Sequence, residues 1–594
     1  MGVSPAAQTP TSAAPAGPKA APWRHPLAPA AVFILLTAML VAAESVAALA
    51  VVVMDGGLAL LVLACAAAAG VWLVHALGLG QEPPAARWVA GAGLGIGGLS
   101  LGTLVLGWLG LLTRPVVGIW LAAVALAGAA RLAMDLSPAP GVAATPRPMP
   151  ASGWLWLAAV PFAAVTLLAG AMPPGVLWAE EGGGYDVLEY HLAVPGAFFE
   201  QGRIGFLPHN VYSNFPLNSE MLSLLMMTLR GGRIEAALMA TLVNAWLAVL
   251  LAAATWQAAR RLSPENGLPA GLLAAGTPWV AYLAGIAYVE AGMLATGMCA
   301  LAAAIEAARG GPRGWRWALV AGLLAGLACG FKYTAVVLVM LPLAAALACW
   351  LPANARRIRS LGIFAAGTAL TFSPWLIRNT VNTGNPVFPL AYAWFGARTG
   401  TWDAELQERW ARAHEPPALR QGFGPAASTA LRHSVGDPRL GPAVLVLAAA
   451  GAIRRRDRWT GGLLLMLAVQ AAVWGLATHL FARFAVVLLM PLLPLAGRAV
   501  EGLRRRLSVR LTYGALLAGL GLNLVHLGGL YYHHTRLGPE AVRLNAFDRC
   551  DLFVDGRWPG MEYLQVVNAL GGSARLMLVG EARTFYVRVP CVYA

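Results

Sequence analysis

Long apolar runs alternate with short polar connections along most of this chain. A run of about 20 apolar residues crosses a bilayer as a helix, because a helix satisfies its own backbone hydrogen bonds. The pattern therefore predicts an all-α polytopic membrane protein with about fifteen transmembrane helices. The predicted spans are 28–53, 57–80, 88–113, 115–134, 154–172, 234–259, 265–289, 291–308, 315–331, 333–351, 361–377, 441–453, 460–478, 484–499 and 509–530.

Three longer polar segments interrupt this pattern, at 173–233, 378–440 and 531–594. We predict short amphipathic helices in the first two. The third is predicted to be a small mixed α/β segment, because ARLMLVGEARTFYVRV reads as a strand and a turn. The remaining parts are a four-helix membrane region at 28–134 and a membrane core at 153–530.

The composition supports a membrane protein. Of the 594 residues, 58% are apolar and 12% are charged, whereas soluble proteins have about a quarter of their residues charged. A single soluble globular domain is therefore excluded. Residues 1–27 are rich in Pro and Ala and are predicted to form a disordered tail. Residues 135–152 form a Pro-rich linker.

Basic residues are divided unevenly between alternate connections, and the formal net charge is +15. Arginines cluster in one set of connections, as at 454–458 and 504–506, and are few in the other set. Cytoplasmic connections carry an excess of Lys and Arg, so we predict a cytoplasmic N-terminus and linker, with the three polar segments on the outer face. The charge then requires no nucleic-acid partner. The cytoplasmic connections are also too short to hold a nucleotide.

The first polar segment contains a group of candidate catalytic residues. Asp186, Glu189 and Tyr190 are spaced i, i+3 and i+4 and share one face of a helix, with His191 beside it. A partly desolvated carboxylate has a raised pKa and is a plausible general base. The alternative is a solvated helix whose acids face water, and these residues alone favour that alternative.

Glu290 strengthens the catalytic interpretation. It lies in IAYVEAGMLATG, at a tight turn between two predicted spans. A carboxylate close to hydrocarbon is costly and indicates a function, although solvation of a helix end also explains it. Together, Asp186 and Glu290 could bind a divalent cation such as Mg or Mn, or divide the roles of base and electrostatic support.

Three basic residues on the predicted outer face suggest a phosphate site. Lys332 is one of only two lysines in the chain, and its position opposes the orientation bias. Arg378 and Arg483 lie at other outer helix ends. A phosphate at the headgroup level explains all three cations. Snorkelling toward lipid headgroups explains any one of them.

Two further motifs bear on helix packing and on the C-terminal segment. GAGLGIGG has the spacing GxGxxG at Gly93, Gly95 and Gly98, but it lies inside a membrane span, so close helix packing explains it better than nucleotide binding. Cys550 and Cys591 lie in the C-terminal segment. An oxidising compartment permits a disulfide between them, and two unrelated thiols are an equal alternative.

Several motifs in order resemble the glycosyltransferase C superfamily, which includes protein O-mannosyltransferases and aminoarabinose transferases. They are YDVLEYHLAVPGAFFEQGRI, NFPLNSEML, AYVEAGMLATG, GLLAGLACGFKYTA, PWLIRNTVNTGNPVFPL and RFAVVLLMPLLPLAG. Each motif is weak alone, but their order over about 154–500 is specific. The four helices before the core depart from the usual pattern, and the C-terminal segment is short.

The resemblance implies transfer of a hexosyl or pentosyl group from a polyprenyl-phosphate donor on the non-cytoplasmic face, with inversion. It implies that Asp186 is the base toward the acceptor hydroxyl and that Glu290 supports it, with or without a metal. Glu220, in NSEML, resembles a third acid. The residues that it places at the donor phosphate are Lys332, Arg378 and Arg483.

The acceptor is left open as a glycan, a lipid or a protein, and we expect a bacterial inner membrane. Two other functions also stay open. A transporter or flippase of lipid-linked sugars would use the same cations to hold a headgroup, and a non-catalytic scaffold would keep only the fold. A transporter is expected to have repeated halves with helices broken near the midplane, and the sequence shows no internal repeat.

Overall fold

The computed structural model describes residues 46–136, 151–177, 184–454, 456–534 and 549–593. Within these ranges, ten helices are long and apolar enough to cross a membrane. They are Val46–Leu79, Pro84–Trp108, Arg114–Leu136, Gly153–Gly170, Ala237–Leu262, Glu290–Arg309, Ala355–Thr383, Arg458–Ala477, Ala482–Arg504 and Val509–Tyr531. Three shorter apolar helices are Gly314–Cys329, Val336–Trp350 and Pro442–Arg454. The protein is therefore a helical integral membrane protein, and the predicted count of fifteen spans is not reached among the described residues.

The predicted turn between spans 28–53 and 57–80 is wrong, because Val46–Leu79 is one continuous helical stretch. Asp55, at the predicted break between the two spans, lies in a π-helical turn of this stretch and is 7% exposed. Its carboxylate is 3.1 Å from a guanidinium nitrogen of Arg230. Because a distant arginine neutralises Asp55, the helix continues through a polar position. The predicted tail 1–27 lies outside the described residues, and so does most of the linker.

The predicted span 265–289 is also wrong as a single helix. It consists of the short helices Gly267–Ala275 and Pro278–Ala284. Proline has no backbone N–H and cannot continue the first helix. The side-chain amide of Asn523 donates to the carbonyl of Gly276 at 2.9 Å. The break is therefore satisfied by a neighbouring helix, as irregular backbone inside a membrane protein requires.

The glycine-rich motif packs helices closely, as the sequence predicts. A Cβ atom on Gly95 would lie 1.8 Å from the carbonyl oxygen of Ala66, and one on Gly70 would lie 2.0 Å from that of Gly91. Only glycine permits this approach between the first two described helices. Gly93 faces Leu324 and Cys299 of the core, so the motif also joins the N-terminal helices to the core.

The polar segments contain short helices. In the first they are Val187–His191, Ala193–Gln201, Val211–Asn214 and Asn218–Arg230. In the second they are Tyr392–Phe395, Ala404–Ala413, Pro417–Gln421, Phe423–Arg432 and Pro438–Leu440.

The C-terminal segment has both helices and strands. The helices are Asp551–Val554 and Tyr563–Ala569, and the strands Leu576–Leu578 and Cys591–Tyr593 pair in parallel.

Of the two alternatives for Cys550 and Cys591, the structure has the unrelated thiols, because both are free. Their surroundings differ. Cys550 is buried beside Tyr586, whereas Cys591 lies at the start of a strand near Arg233 and Glu200. The two thiols therefore belong to different contacts within the segment.

Candidate active site

An ion pair joins the first polar segment to the helix that begins at residue 482. Asp186 lies directly before the π-helical turn Val187–His191, and Arg483 lies in the 3-10 turn Ala482–Leu488. Nη2 of Arg483 is 2.5 Å from a carboxylate oxygen of Asp186. The guanidinium also lies over the ring of Tyr288, with Cζ 4.6 Å from the ring centroid. The side chain of Asp186 is 27% exposed, so it is open to a ligand.

A second ion pair joins two core helices. Glu290 is the first residue of helix Glu290–Arg309, and Lys332 follows helix Gly314–Cys329. Nζ of Lys332 is 2.8 Å from one carboxylate oxygen of Glu290 and 3.6 Å from the ring centroid of Phe484. Glu290 is 1% exposed. Its second carboxylate oxygen has no hydrogen-bond partner in the described part of the chain.

The two ion pairs form one set of alternating charges, which we call the four-charge cluster: Asp186, Arg483, Lys332 and Glu290. Burial lowers the pKa of Lys332, the charge of Glu290 raises it, and both Arg483 and Asp186 act on it as well. The structure therefore brings the two predicted acids together with two of the three predicted cations.

His191 and Glu220 form a buried pair beside this cluster. Nδ1 of His191 is 2.5 Å from a carboxylate oxygen of Glu220, and its ring packs edge-on against Tyr288. Burial, together with the charges of Arg483 and Lys332, lowers the pKa of His191 well below its ordinary value. Burial raises the pKa of Glu220 to about 8. Both pKa shifts favour a neutral pair at neutral pH, with a protonated Glu220 and an uncharged His191.

Glu189 and Tyr190 follow Asp186, in the π-helical turn that begins directly after it. The rings of Tyr190 and Tyr212 are stacked, with centroids 4.7 Å apart. Burial raises the pKa of Glu189 to about 8, and the charges of Asp186 and Glu581 contribute to the rise. Glu189 is therefore mostly neutral at pH 7 and adds little negative charge next to Asp186.

Arg378 lies inside helix Ala355–Thr383 and is 1% exposed. Its Nη2 donates to the carbonyl of Phe215 and to Oδ1 of Asn379, both at 2.8 Å, and its guanidinium lies over Trp375. These contacts tie the helix to the NFPLN motif. The predicted contact of Arg378 with a donor phosphate stays a prediction.

Several residues at the site were missed by the sequence reasoning. Tyr288 lies under the guanidinium of Arg483, and Phe484 lies under the ammonium group of Lys332. The sequence feature that could have identified them is their position close to Glu290 and Arg483 in the same motifs. His414 and His479 pack against each other, with ring centroids 5.1 Å apart. Burial lowers the pKa of His479 to about 4. The two histidines come from separate segments, so no local pattern connects them.

The two acids that could bind a divalent cation both have basic partners in the structure. Asp186 and Glu290 are each engaged by a basic residue. No group of three His, Cys, Asp or Glu residues is placed to hold a metal ion anywhere in the described ranges. A divalent cation held by Asp186 and Glu290 stays a prediction.

Comparisons with known proteins support one fold. A family model described as dolichyl-phosphate-mannose-protein mannosyltransferase matches residues 216–377, which include Glu220, Glu290 and Lys332. The structure of ArnT from Cupriavidus metallidurans bound to undecaprenyl phosphate superposes with a TM-score of 0.50 and 17% sequence identity, over 75% of this chain and 86% of that chain. The chain has the glycosyltransferase C fold. The predicted resemblance to this superfamily is confirmed.

Other glycosyltransferase C structures match less well. The apo form of the same ArnT gives a TM-score of 0.48 at 16% identity, over 75% of this chain and 86% of that chain. An oligosaccharyltransferase from Archaeoglobus fulgidus gives a TM-score of 0.39 at 12% identity, over 74% of this chain and 63% of that chain. No curated protein matches the sequence.

Proposed function

We propose that this glycosyltransferase C protein transfers a monosaccharide from a polyprenyl-phosphate donor to an acceptor on the outer face of the membrane. The observation that carries the proposal is the four-charge cluster, in which an acid from the first polar segment meets cations at core helix ends. The fold and the mannosyltransferase family model support transfer of a lipid-linked sugar. The ArnT structure with undecaprenyl phosphate supports a lipid phosphate as donor.

Lys332 and Arg483 are the groups we assign to the donor phosphate. As the bond between the sugar and the phosphate breaks, negative charge accumulates on the phosphate oxygens. Fixed cations stabilise that charge more strongly in the transition state than in the ground state. Glu290 positions Lys332 through the 2.8 Å ion pair, so the ammonium group is already in place when the donor binds.

Asp186 is the group we assign to the acceptor. The acceptor hydroxyl attacks the anomeric carbon from the face opposite the phosphate, which inverts the configuration. The hydroxyl proton passes to the carboxylate of Asp186, and the electrons of the broken bond leave with the polyprenyl phosphate. Because Arg483 bridges Asp186 and the donor site, the base lies close to the reacting carbon.

The outer-face location rests on the distribution of arginines, which places the polar segments away from the cytoplasm. We propose a bacterial inner membrane, with the C-terminal segment on the same side as the site. The acceptor is a glycan, a lipid or a protein that carries a free hydroxyl group. The two alternatives are a flippase, which would hold the donor headgroup with the same cations, and a scaffold, which would keep only the fold. Neither predicts bond cleavage.

The experiment that tests the proposal has two stages. Native mass spectrometry of the purified protein is expected to show a co-purified polyprenyl phosphate or its sugar-linked form. Proteoliposomes are then supplied with a panel of undecaprenyl-phosphate monosaccharides and a membrane extract as acceptor source. Release of undecaprenyl phosphate with transfer of the sugar supports an enzyme. Movement of intact donor across the membrane without cleavage indicates a flippase. If neither sugar transfer nor donor movement is observed, the protein is a scaffold.

A further inference from the structure

The turn that carries Asp186 follows a run of glycines in the sequence. Three consecutive glycines, 182–184, precede it in the sequence, and Gly184 has a positive φ of 67°. Glycine leaves the chain many conformations and does not fix the direction of the next residues. The position of residues 185–191 must therefore be set by contacts from other parts of the molecule.

The C-terminal segment supplies two of these contacts. The backbone N–H of Ala582 donates to the hydroxyl oxygen of Tyr185 at 3.1 Å. The backbone N–H of Phe585 donates to the carbonyl of Leu188, also at 3.1 Å. Tyr185 and Leu188 lie on either side of Asp186, so four consecutive residues of the C-terminal segment hold both flanks of the candidate base.

Residues 585–587 of the C-terminal segment have their own packing and hydrogen-bond contacts. Phe585 is 0% exposed, and Tyr586 is stacked on Phe553 with ring centroids 4.7 Å apart. The hydroxyl of Tyr586 donates to the carbonyl of Pro174 at 2.8 Å. Arg233 donates to the carbonyl of Val587. The segment thus packs against the first polar segment through a small apolar core.

The side chain of Tyr185 also has an electrostatic contact. The guanidinium of Arg583 lies over its ring, with Cζ 5.6 Å from the centroid, and Glu581 holds that guanidinium at 2.6 Å. Two consecutive residues of the segment therefore contact Tyr185, Ala582 at its hydroxyl and Arg583 at its ring. Asp186 is the next residue in the chain.

We propose that residues 582–585 clamp the turn 185–191 and that Tyr185 is a positioning residue for Asp186. The clamp fixes the backbone on both sides of Asp186, while Arg483 contacts its carboxylate. This inference rests on the proposed function only in taking Asp186 as the base. The C-terminal segment is then part of the catalytic apparatus.

The test is Tyr185→Phe in the full-length protein. The change keeps the ring on Arg583 and removes only the hydroxyl that accepts from Ala582. A small displacement of a catalytic group costs about 100-fold in rate, so we expect kcat to fall about 10-fold to 100-fold. The KM for the undecaprenyl-phosphate sugar should stay within about twofold, because Lys332 and Arg483 are untouched.

Tyr531→Phe is the matched control, because it removes a tyrosine hydroxyl that donates to the carbonyl of Val165 at 3.4 Å, away from the clamp and from the turn. We expect it to lower kcat less than threefold. An equal loss of kcat in both variants, or no loss in Tyr185→Phe, would overturn the clamp.

A second measurement does not depend on turnover. Amide hydrogen exchange in residues 184–191 should be faster in Tyr185→Phe than in the wild type, with undecaprenyl phosphate binding unchanged. Unchanged exchange in the turn would contradict the clamp even if the enzyme activity is confirmed. Faster exchange in a protein that transfers no sugar would support the clamp and refute the proposed function.

Discussion

Arg483 holds Asp186 through a 2.5 Å contact between a guanidinium nitrogen and a carboxylate oxygen. In the proposed function these two residues have different partners, the donor phosphate for Arg483 and the acceptor hydroxyl for Asp186. The ion pair therefore competes with the donor. When the phosphate takes the guanidinium, the carboxylate is released to accept a proton, which couples donor binding to activation of the base.

This competition gives the first prediction, which concerns Asp186→Asn. The substitution removes the negative charge that competes for Arg483, so undecaprenyl phosphate should bind about 10-fold more tightly than to the wild type. A charge-assisted hydrogen bond contributes about 1.5–3 kcal/mol, and each 1.4 kcal/mol is a factor of ten in affinity. Native mass spectrometry titration measures the dissociation constant.

Glu189→Gln is the control for Asp186→Asn. Because burial raises the pKa of Glu189 to about 8, the substitution hardly changes the charge at pH 7. It should leave the affinity for undecaprenyl phosphate within about twofold of the wild type. Unchanged or weaker binding in Asp186→Asn would show that the carboxylate does not compete with the phosphate.

The second prediction separates the binding role of Lys332 from its structural role. Lys332→Ala leaves the buried carboxylate of Glu290 without its cation, and loss of one partner of a buried pair costs about 3–5 kcal/mol. We expect a lower unfolding temperature in detergent and weaker binding of undecaprenyl phosphate.

The double variant Lys332→Ala/Glu290→Gln removes the stranded charge. It should recover much of the stability while the weak binding of undecaprenyl phosphate persists. If the second substitution also restores binding, Lys332 has only a structural role at this site.

The third prediction concerns pH and the pair of Glu220 and His191. Folding raises the pKa of Glu220 from 4.5 to about 8 and lowers that of His191 from 6.5. Between pH 6.5 and 8, the folded protein keeps a proton on Glu220 that the unfolded chain has released. Stability therefore falls as the pH rises through this window, by about 2 kcal/mol for this group.

The same linkage predicts little change from this pair between pH 4.5 and 6.5. There the extra proton on folded Glu220 is offset by the proton that unfolded His191 binds. Glu220→Gln keeps a donor for His191 and cannot titrate. Its unfolding temperature in detergent should fall less than that of the wild type between pH 6.5 and 8.5, and an equal fall would contradict the neutral pair.

The membrane helices and the four-charge cluster were accessible from sequence for one physical reason. Charged residues are costly at the ends of apolar spans, so Glu290 and Lys332 stood out against their surroundings. Which acid pairs with which cation was not accessible. The pairs join residues separated by 42 and 297 positions, and such contacts depend on how the helices pack.

The errors have the same origin. A break between two spans was predicted where Asp55 lies, but Arg230 neutralises the carboxylate and the helix continues. Gly276 and Pro278 are residues that favour a helix break, but the continuous apolar run at 265–289 favoured a single span. The contact of Ala582 with Tyr185 crosses 397 positions, so nothing in either local sequence indicated that the C-terminal segment reaches the site.

The most direct test of the central claim is sugar transfer by Asp186→Asn in proteoliposomes. The donor is the undecaprenyl-phosphate monosaccharide that the wild type uses, and correct folding is checked by thermal unfolding. Loss of a general base is expected to lower the rate by about 100-fold to 10,000-fold, while undecaprenyl phosphate still binds. Transfer at the wild-type rate by a folded Asp186→Asn protein would contradict the assignment of Asp186 as the base.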